Sequence, residues 1–330
     1  TYLKSLVRFC LLIEAKATLK EARKLNHNFG FISKFERLLF NFKEHNYETP
    51  NDLQYNELKH LLELFEKFQF DKLRTAAKYF ICTTPNSFQA YNLLGLAQQK
   101  LGDLAAAKLP FLRSILINIK AQDTYNNYGR LLNDLGSYEY SFSLLQKAVL
   151  LNPRETTSMT NLGVTLIKSN KLPAALSTHQ RLLVLSPQNI NAYNNIGVIF
   201  KKMGEIENAI TSFQKAVKKN PFFCEGYINL ASAQKILTFD KEAEINCKKS
   251  ALLGPNFFEA WNELGHLLNE RKAFKKAILA FERAIKINPI TIAKVGKSEA
   301  LQGMGEFESA INLLLMDVRQ IGISTAKCAD

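Results

Sequence analysis

The chain has 330 residues and a hydrophobic share of 47%, enough to bury a core, which argues against a disordered polar polymer. No apolar run nears the roughly 20 residues of a membrane span, and five cysteines without a CxxC pair argue against structural zinc or a disulfide framework and for a reducing, cytoplasmic setting. A net charge of +13 suits an anionic partner, and equally suits lysines that merely fill solvated helix faces.

The chain begins at Thr1, so a preceding segment is left open. Phe9 to Ile13 is too short for a secretion signal, and no small-residue cleavage site follows it. Residues 1–50 are expected to form two helices, Tyr2 to Leu25 and Phe31 to His45, broken at Asn28-Phe29-Gly30. They read as a helical extension or an eroded repeat.

From residue 51 to 321 the prolines set the organisation. Pro85, Pro153, Pro187, Pro221, Pro255 and Pro289 stand 34 residues, or a multiple of 34, apart. Six of the nine prolines lie on this lattice, which marks an internal repeat. Repeats then begin at Gln54, Phe88, Gln122, Thr156, Ile190, Cys224 and Phe258, and we number the places of each from 1 to 34. Place 4 is large (Tyr91, Tyr125, Met159, Tyr193, Tyr227, Trp261). Place 8 is small (Gly95, Gly129, Gly163, Gly197, Ala231, Gly265), as is place 20 (Ala107, Ser141, Ala175, Ala209, Ala243, Ala277). Place 24 is often bulky, as in Phe111, Leu145, Phe213 and Phe281.

Places 4, 7, 8 and 11 form one helix face, and places 20, 24 and 27 a second. Small residues at places 8 and 20 let the two helices approach closely, and Leu101-Gly102-Asp103, Leu135-Gly136-Ser137 and Met203-Gly204-Glu205 mark the turns between them. Each second helix is expected to stop before its proline. Asn152, Ser186, Asn220, Gly254 or Asn288 precedes it, and Asn or Gly there suits a left-handed helix end. The first repeat departs from the pattern with His60 and Leu61 at places 7 and 8. A last repeat, Ile290 to Ile321, fits after a one-residue deletion, with Gly305-Glu306-Phe307 as its turn and Ala310 as its small residue. Residues 322–330 are a tail.

These motifs resemble the tetratricopeptide repeat family over Gln54 to about Ile321. The resemblance implies an all-α, right-handed superhelix, an α-solenoid of about eight helical hairpins, that binds a protein or peptide in its concave groove. That groove is lined by places 2, 5, 6, 9, 12 and 13 of the first helices. Place 6 holds Asn127, Asn161, Asn195 and Asn229 in four successive repeats, and place 5 adds Asn92, Asn126, Asn194 and Asn262. The second asparagine of each doublet is expected to point into the groove while the first flanks it. A primary amide offers two donors and an acceptor, so it grips a peptide backbone whatever its side chains. The ladder looks like that of the superhelical arm of O-linked N-acetylglucosamine transferases. With 28 asparagines in the chain, the alternative that these amides bond a neighbouring helix and serve packing stays open.

Lys100, Lys168, Lys201, Lys202 and Lys235 at places 12 and 13, against Asp134 and Glu270, give a groove edge that is basic in the middle and acidic near the end. Lys168 and Lys202 suit acidic side chains on a partner. No paired Lys/Arg clamp for acidic chaperone tails stands on the first helices.

No Walker loop, HExxH or dinucleotide turn is present, and Gln302-Gly303-Met304-Gly305 sits in a hairpin turn. Glu263, His266 and Glu270 share a helix face at a spacing that suits a metal or an acid–base pair, but a surface histidine among glutamates is the commoner reading. No enzyme activity, cofactor or metal is expected of this chain, and nucleic acid is not expected as a partner because the aromatics are core-placed. The chain reads as a scaffold or adaptor. The alternative is the recognition arm of a larger enzyme, such as a glycosyltransferase, sulfotransferase or oxygenase. The apolar last helix, with Ile311, Leu313, Leu314, Leu315, Met316, Val318 and Ile321, suits a following domain or a homodimer contact.

Overall fold

The computed structural model describes residues 52–289 and 291–315, with the backbone alone at 52–54 and 291. The expected helices within residues 1–50, the tail, and Met316, Val318 and Ile321 lie outside the described residues. The described residues are all-helical, without a strand, and divide into two compact units at Ala148 and Val149.

The first unit holds α1 (Asp52–Glu66), α2 (Phe70–Thr83), α3 (Phe88–Lys100), α4 (Leu104–Ile117) and α5 (Gln122–Asp134), with α6 (Tyr138–Leu151) reaching the boundary. The second holds α7 (Thr156–Lys168), α8 (Leu172–Leu185), α9 (Ile190–Met203), α10 (Ile206–Lys219), α11 (Cys224–Ile236), α12 (Asp240–Leu253), α13 (Phe258–Glu270), α14 (Phe274–Ile287) and α15 (Thr291–Gly303), then a helix α16 over residues 307–315. Each repeat is one hairpin of consecutive helices; the first helices of the second to seventh repeats begin at the place 1 expected of them, whereas α1 begins two residues ahead of Gln54. The last repeat keeps its deletion: Gly305 is left-handed and Ala310 is buried.

Close packing explains the small places. A methyl group built on Gly197 would lie 2.5 Å from the Phe213 ring, and one on Gly163 would lie 2.4 Å from His179. The same clash joins Gly95 to Phe111, Gly129 to Leu145 and Gly265 to Phe281. Place 8 is therefore a hole and place 24 its knob. In the sixth repeat, Ala231 and Cys247 fill these places and are buried in one cluster. Burial pushes the Cys247 thiol up to about 12, and Glu263 adds to the effect.

Polar residues that enter the core mostly find a carbonyl. The hydroxyl of Ser141 donates to Gly129 O at 2.7 Å, that of Ser114 to Phe88 O at 2.7 Å, and that of Ser250 to Cys224 O at 2.9 Å. Tyr125 Oη, Gln98 Oε1 and Asn133 Oδ1 find no partner, and neither does His179. It is fully buried, neither ring nitrogen has a hydrogen-bond partner, and burial lowers its pKa to about 4. A neutral ring fills the place taken by Phe213 and Phe281 in other repeats.

The helix ends correct one expectation. The residues before the prolines are extended, not left-handed: φ is −139° at Ser186, −133° at Asn220, −123° at Gly254 and −144° at Asn288. A following proline ring clashes with helical backbone and drives its predecessor there. Asparagine serves instead by its side chain, since Asn220 Oδ1 accepts from Phe222 N at 2.9 Å across the proline. The left-handed residue stands at place 15, between the two helices. It is Gly102, Gly136, Gly204 and Gly305, but also Phe68, Asn170, Thr238 and Lys272, with φ between 56° and 84°.

Candidate functional site

The candidate site is one face of the first helices, partly open to solvent. Places 2, 5, 6, 9, 12 and 13 recur three or four residues apart and so share one side of each helix. In the first unit, Asn127 Nδ2 donates to Asn92 Oδ1 at 3.2 Å. In the second, Asn229 Nδ2 donates to Asn194 Oδ1 at 2.9 Å, and Asn194 Nδ2 donates onward to Glu225 Oε1 at 3.2 Å. A place-6 amide thus bonds the place-5 amide of the repeat before it. In these two pairs the asparagines are partners across successive first helices, the packing alternative left open by the sequence. Both place-6 asparagines remain half-buried.

Asn126, Asn161 and Asn195 are half-buried. Asn262 is 6% exposed and its Oδ1 has no hydrogen-bond partner. With the one-residue deletion, place 6 of the next repeat is Gly296, which has no amide to donate. The last such asparagine pair is Asn194 with Asn229, since Ile228 and Glu263 already replace the amides in the following register.

The lysines split in the same way. Lys168 and Lys202 are exposed, whereas Lys201 is half-buried and its Nζ donates to Ser232 Oγ at 2.6 Å. Burial lowers the Lys201 pKa; Glu263 opposes that shift and Lys202 adds to it. Lys235 Nζ donates to Glu270 Oε1 at 2.6 Å, so the basic and acidic ends of the expected groove edge neutralise each other at this point. In the first unit, Gln99 Nε2 donates to Asp134 Oδ2 at 3.0 Å.

The histidine cluster does not assemble as a site. Glu270 is engaged with Lys235, and the His266 ring stands edge-on to Phe281 with centroids 5.0 Å apart. No group of three potential ligands is poised for a metal among the described residues. No described helix is long and apolar enough to cross a membrane.

Sequence reading missed Glu225, Ser232 and Gln99 as partners. The signal was available: the bonds join residues 35 or 31 apart, so each place faces a shifted place in the next repeat, not its own copy.

Sequence profiles of the tetratricopeptide repeat match residues 190–223 and 258–289, and a second profile of that repeat matches residues 88–118. No curated protein matches the chain. Among solved structures, a tetratricopeptide repeat protein from Parabacteroides merdae ATCC 43184 aligns with 76% of this chain and 99% of its own, at 15% identity and a TM-score of 0.64. A chain of the APC/C hetero-tetramer Cut9-Hcn1 aligns with 74% of this chain, at 18% identity and a TM-score of 0.60; the match covers 48% of that chain, about half its length. Pseudomonas aeruginosa pilF aligns with 63% of this chain and 94% of its own, at 16% identity and a TM-score of 0.54. At such identities the likeness is one of fold. With three hairpins matched in sequence and the hairpin fold matched in structure, the chain carries tetratricopeptide repeats.

Proposed function

We propose that this chain is a protein-binding scaffold whose first-helix face holds an extended partner segment by its backbone. The carrying observation is the amide pairing of Asn229 with Asn194 and of Asn127 with Asn92. Each bond uses one N–H of the place-6 amide and fixes its plane. One N–H and the carbonyl oxygen are left to face a ligand. Amides held in one orientation lose less freedom on binding than free ones. Packed helices repeat about every 10 Å, close to the reach of three extended residues, so one rung serves every third residue of a bound segment. The exposed Lys168 and Lys202 suit carboxylates on that segment. A chain of this fold occurs in the Cut9-Hcn1 hetero-tetramer, which supports a scaffold role.

The test replaces Asn127, Asn161, Asn195 and Asn229 together by alanine. Retained proteins are then compared by mass spectrometry, with circular dichroism as the control for folding. The expected result is loss of the specifically retained set. An unchanged set on a folded variant overturns the backbone-holding role.

A second reading, the recognition arm of a larger enzyme, is favoured by Ile311 and Leu315, which are 57% and 46% exposed on α16. The same apolar face suits a second copy of the chain. The mass of the native gene product separates the two: a mass well above 37.4 kDa supports the arm, and one near it supports the scaffold.

A further inference from the structure

The second helices carry their own periodic chemistry. Place 26 is Arg113 and Lys147 in the first unit, then Arg181, Lys215, Lys249 and Arg283 in the second. The latter four are exposed, and the ion pairs among the described residues are made by other cations. Lys218, Lys219 and Lys286 follow in the last turns. Over the last two turns of α8, α10, α12 and α14 the sole carboxylate is Glu282, and it accepts from Lys297 Nζ at 2.7 Å. The helix dipole favours cations in a last turn. Place 26 lies before that turn, so the dipole does not account for it.

In the sixth repeat, place 26 meets an aromatic ring. Lys249 Nζ sits 4.4 Å from the centroid of the Tyr227 ring at place 4. In the seventh repeat the corresponding pair, Arg283 and Trp261, lines an open cleft of about 540 Å³. Its floor is apolar, with Leu264 and Leu268 of α13 beside Trp261, while Leu279 of α14 stands 63% exposed at its wall. Lys276, Arg283 and Lys286 form the rim. The Trp261 indole N–H already donates to Pro255 O at 3.1 Å, so the cleft offers the ring and not the donor.

We propose that this cleft docks an acidic protein segment carrying a large apolar side chain. That side chain lies against Trp261 and Leu279, and neighbouring carboxylates meet Lys276, Arg283 and Lys286. Charge complementarity selects this occupant: three cations surround an apolar floor, and the one carboxylate among them is already engaged. A nucleic acid would use the cations but would leave Leu264, Leu268 and Leu279 without a counterpart. The proposal does not depend on the asparagine face, which lies on the first helices.

Trp261 is the only tryptophan in the chain, so its fluorescence reports this cleft directly. The probe is a synthetic peptide of repeating Glu-Glu-Phe, titrated at low salt. The expected result is a shift of Trp261 emission on binding, an affinity that falls with added salt, and a loss of about tenfold or more in Lys276→Glu/Arg283→Glu/Lys286→Glu. The milder Arg283→Gln/Lys286→Gln variant, with an unchanged dichroism spectrum, should show a smaller loss in the same direction. Leu279→Asp should weaken the peptide as well. Equal binding by wild type and charge variants overturns the proposal. Equal binding of a poly-glutamate of the same length also overturns it, because the apolar floor would then have no part. Tighter binding of single-stranded oligo-dT than of the peptide would assign the face to nucleic acid instead.

Discussion

The fifth and sixth repeats are neighbours in the second unit and form the same hairpin from different parts. The fifth sets Gly197 under Phe213 and turns through Gly204; the sixth uses Ala231, Cys247 and Thr238 at those places. The repeat profiles match the fifth, together with the second and seventh, and these are the three that pair glycine with phenylalanine. What the hairpin requires is a small residue at one of places 8 and 24, not a particular residue at either. The first repeat takes this to its limit. There Leu61 stands at place 8 and Ala77 at place 24, both buried, so the bulk has changed helices.

The largest effect should come from breaking the fifth repeat. In Gly197→Leu the added side chain has no room beside the Phe213 ring, and overpacking of this kind should cost about 3 kcal/mol or more. Urea denaturation measures it, and a loss below about 1 kcal/mol would show that the helices can part freely.

Next comes the fourth repeat, which keeps glycine and changes the knob. His179→Phe should stabilise the protein, because a ring without polar atoms replaces two unpartnered nitrogens. The folded pKa of His179, about 4, lies below the ordinary 6.5, so between these values the unfolded chain binds a proton that the folded chain refuses. Stability carried by the neutral ring is complete above 6.5 and declines as pH falls toward 4. The wild type should therefore lose on the order of 2 to 3 kcal/mol across that window relative to His179→Phe. Parallel pH curves for the two proteins would refute this.

The sixth repeat sharpens the volume argument. Cys247→Phe alone overfills the space beside Ala231 and should cost about 2 kcal/mol. Adding Ala231→Gly should recover at least half of that, a coupling that a double-mutant cycle reads directly. Purely additive losses would mean that the two places do not share one space.

The smallest effect concerns the turn. Thr238 is β-branched at φ 60°, where a side chain crowds the backbone, so Thr238→Gly should gain about 1 kcal/mol. Gly204→Thr in the fifth repeat should lose a similar amount, and thermal melts of the two variants should move in opposite directions.

The proline lattice and the small places made the hairpins legible, because a steric stop and a close approach each require a residue type. The turn was only half legible. Glycine betrays a left-handed residue, whereas Phe68, Thr238 and Lys272 adopt the same backbone without advertising it. The helix ends were misread because proline decides the conformation of its predecessor more strongly than asparagine's own preference does. On the candidate face, the asparagine doublets were visible but their bonding was not. Pairing Asn229 with Asn194 depends on how successive first helices are offset, and a repeat aligned to itself hides that offset.

The offset also bears on assembly. The amide bonds between asparagines join residues 35 apart, one repeat and one residue, so each such closure spans a loop of the same length and carries the same entropic cost. Within the second unit a hairpin can be added to a finished neighbour without waiting for distant chain. Under a pulling force the order reverses: when the α11–α12 hairpin leaves, Asn194 loses both Asn229 and Glu225, so detachment of one hairpin loosens the next.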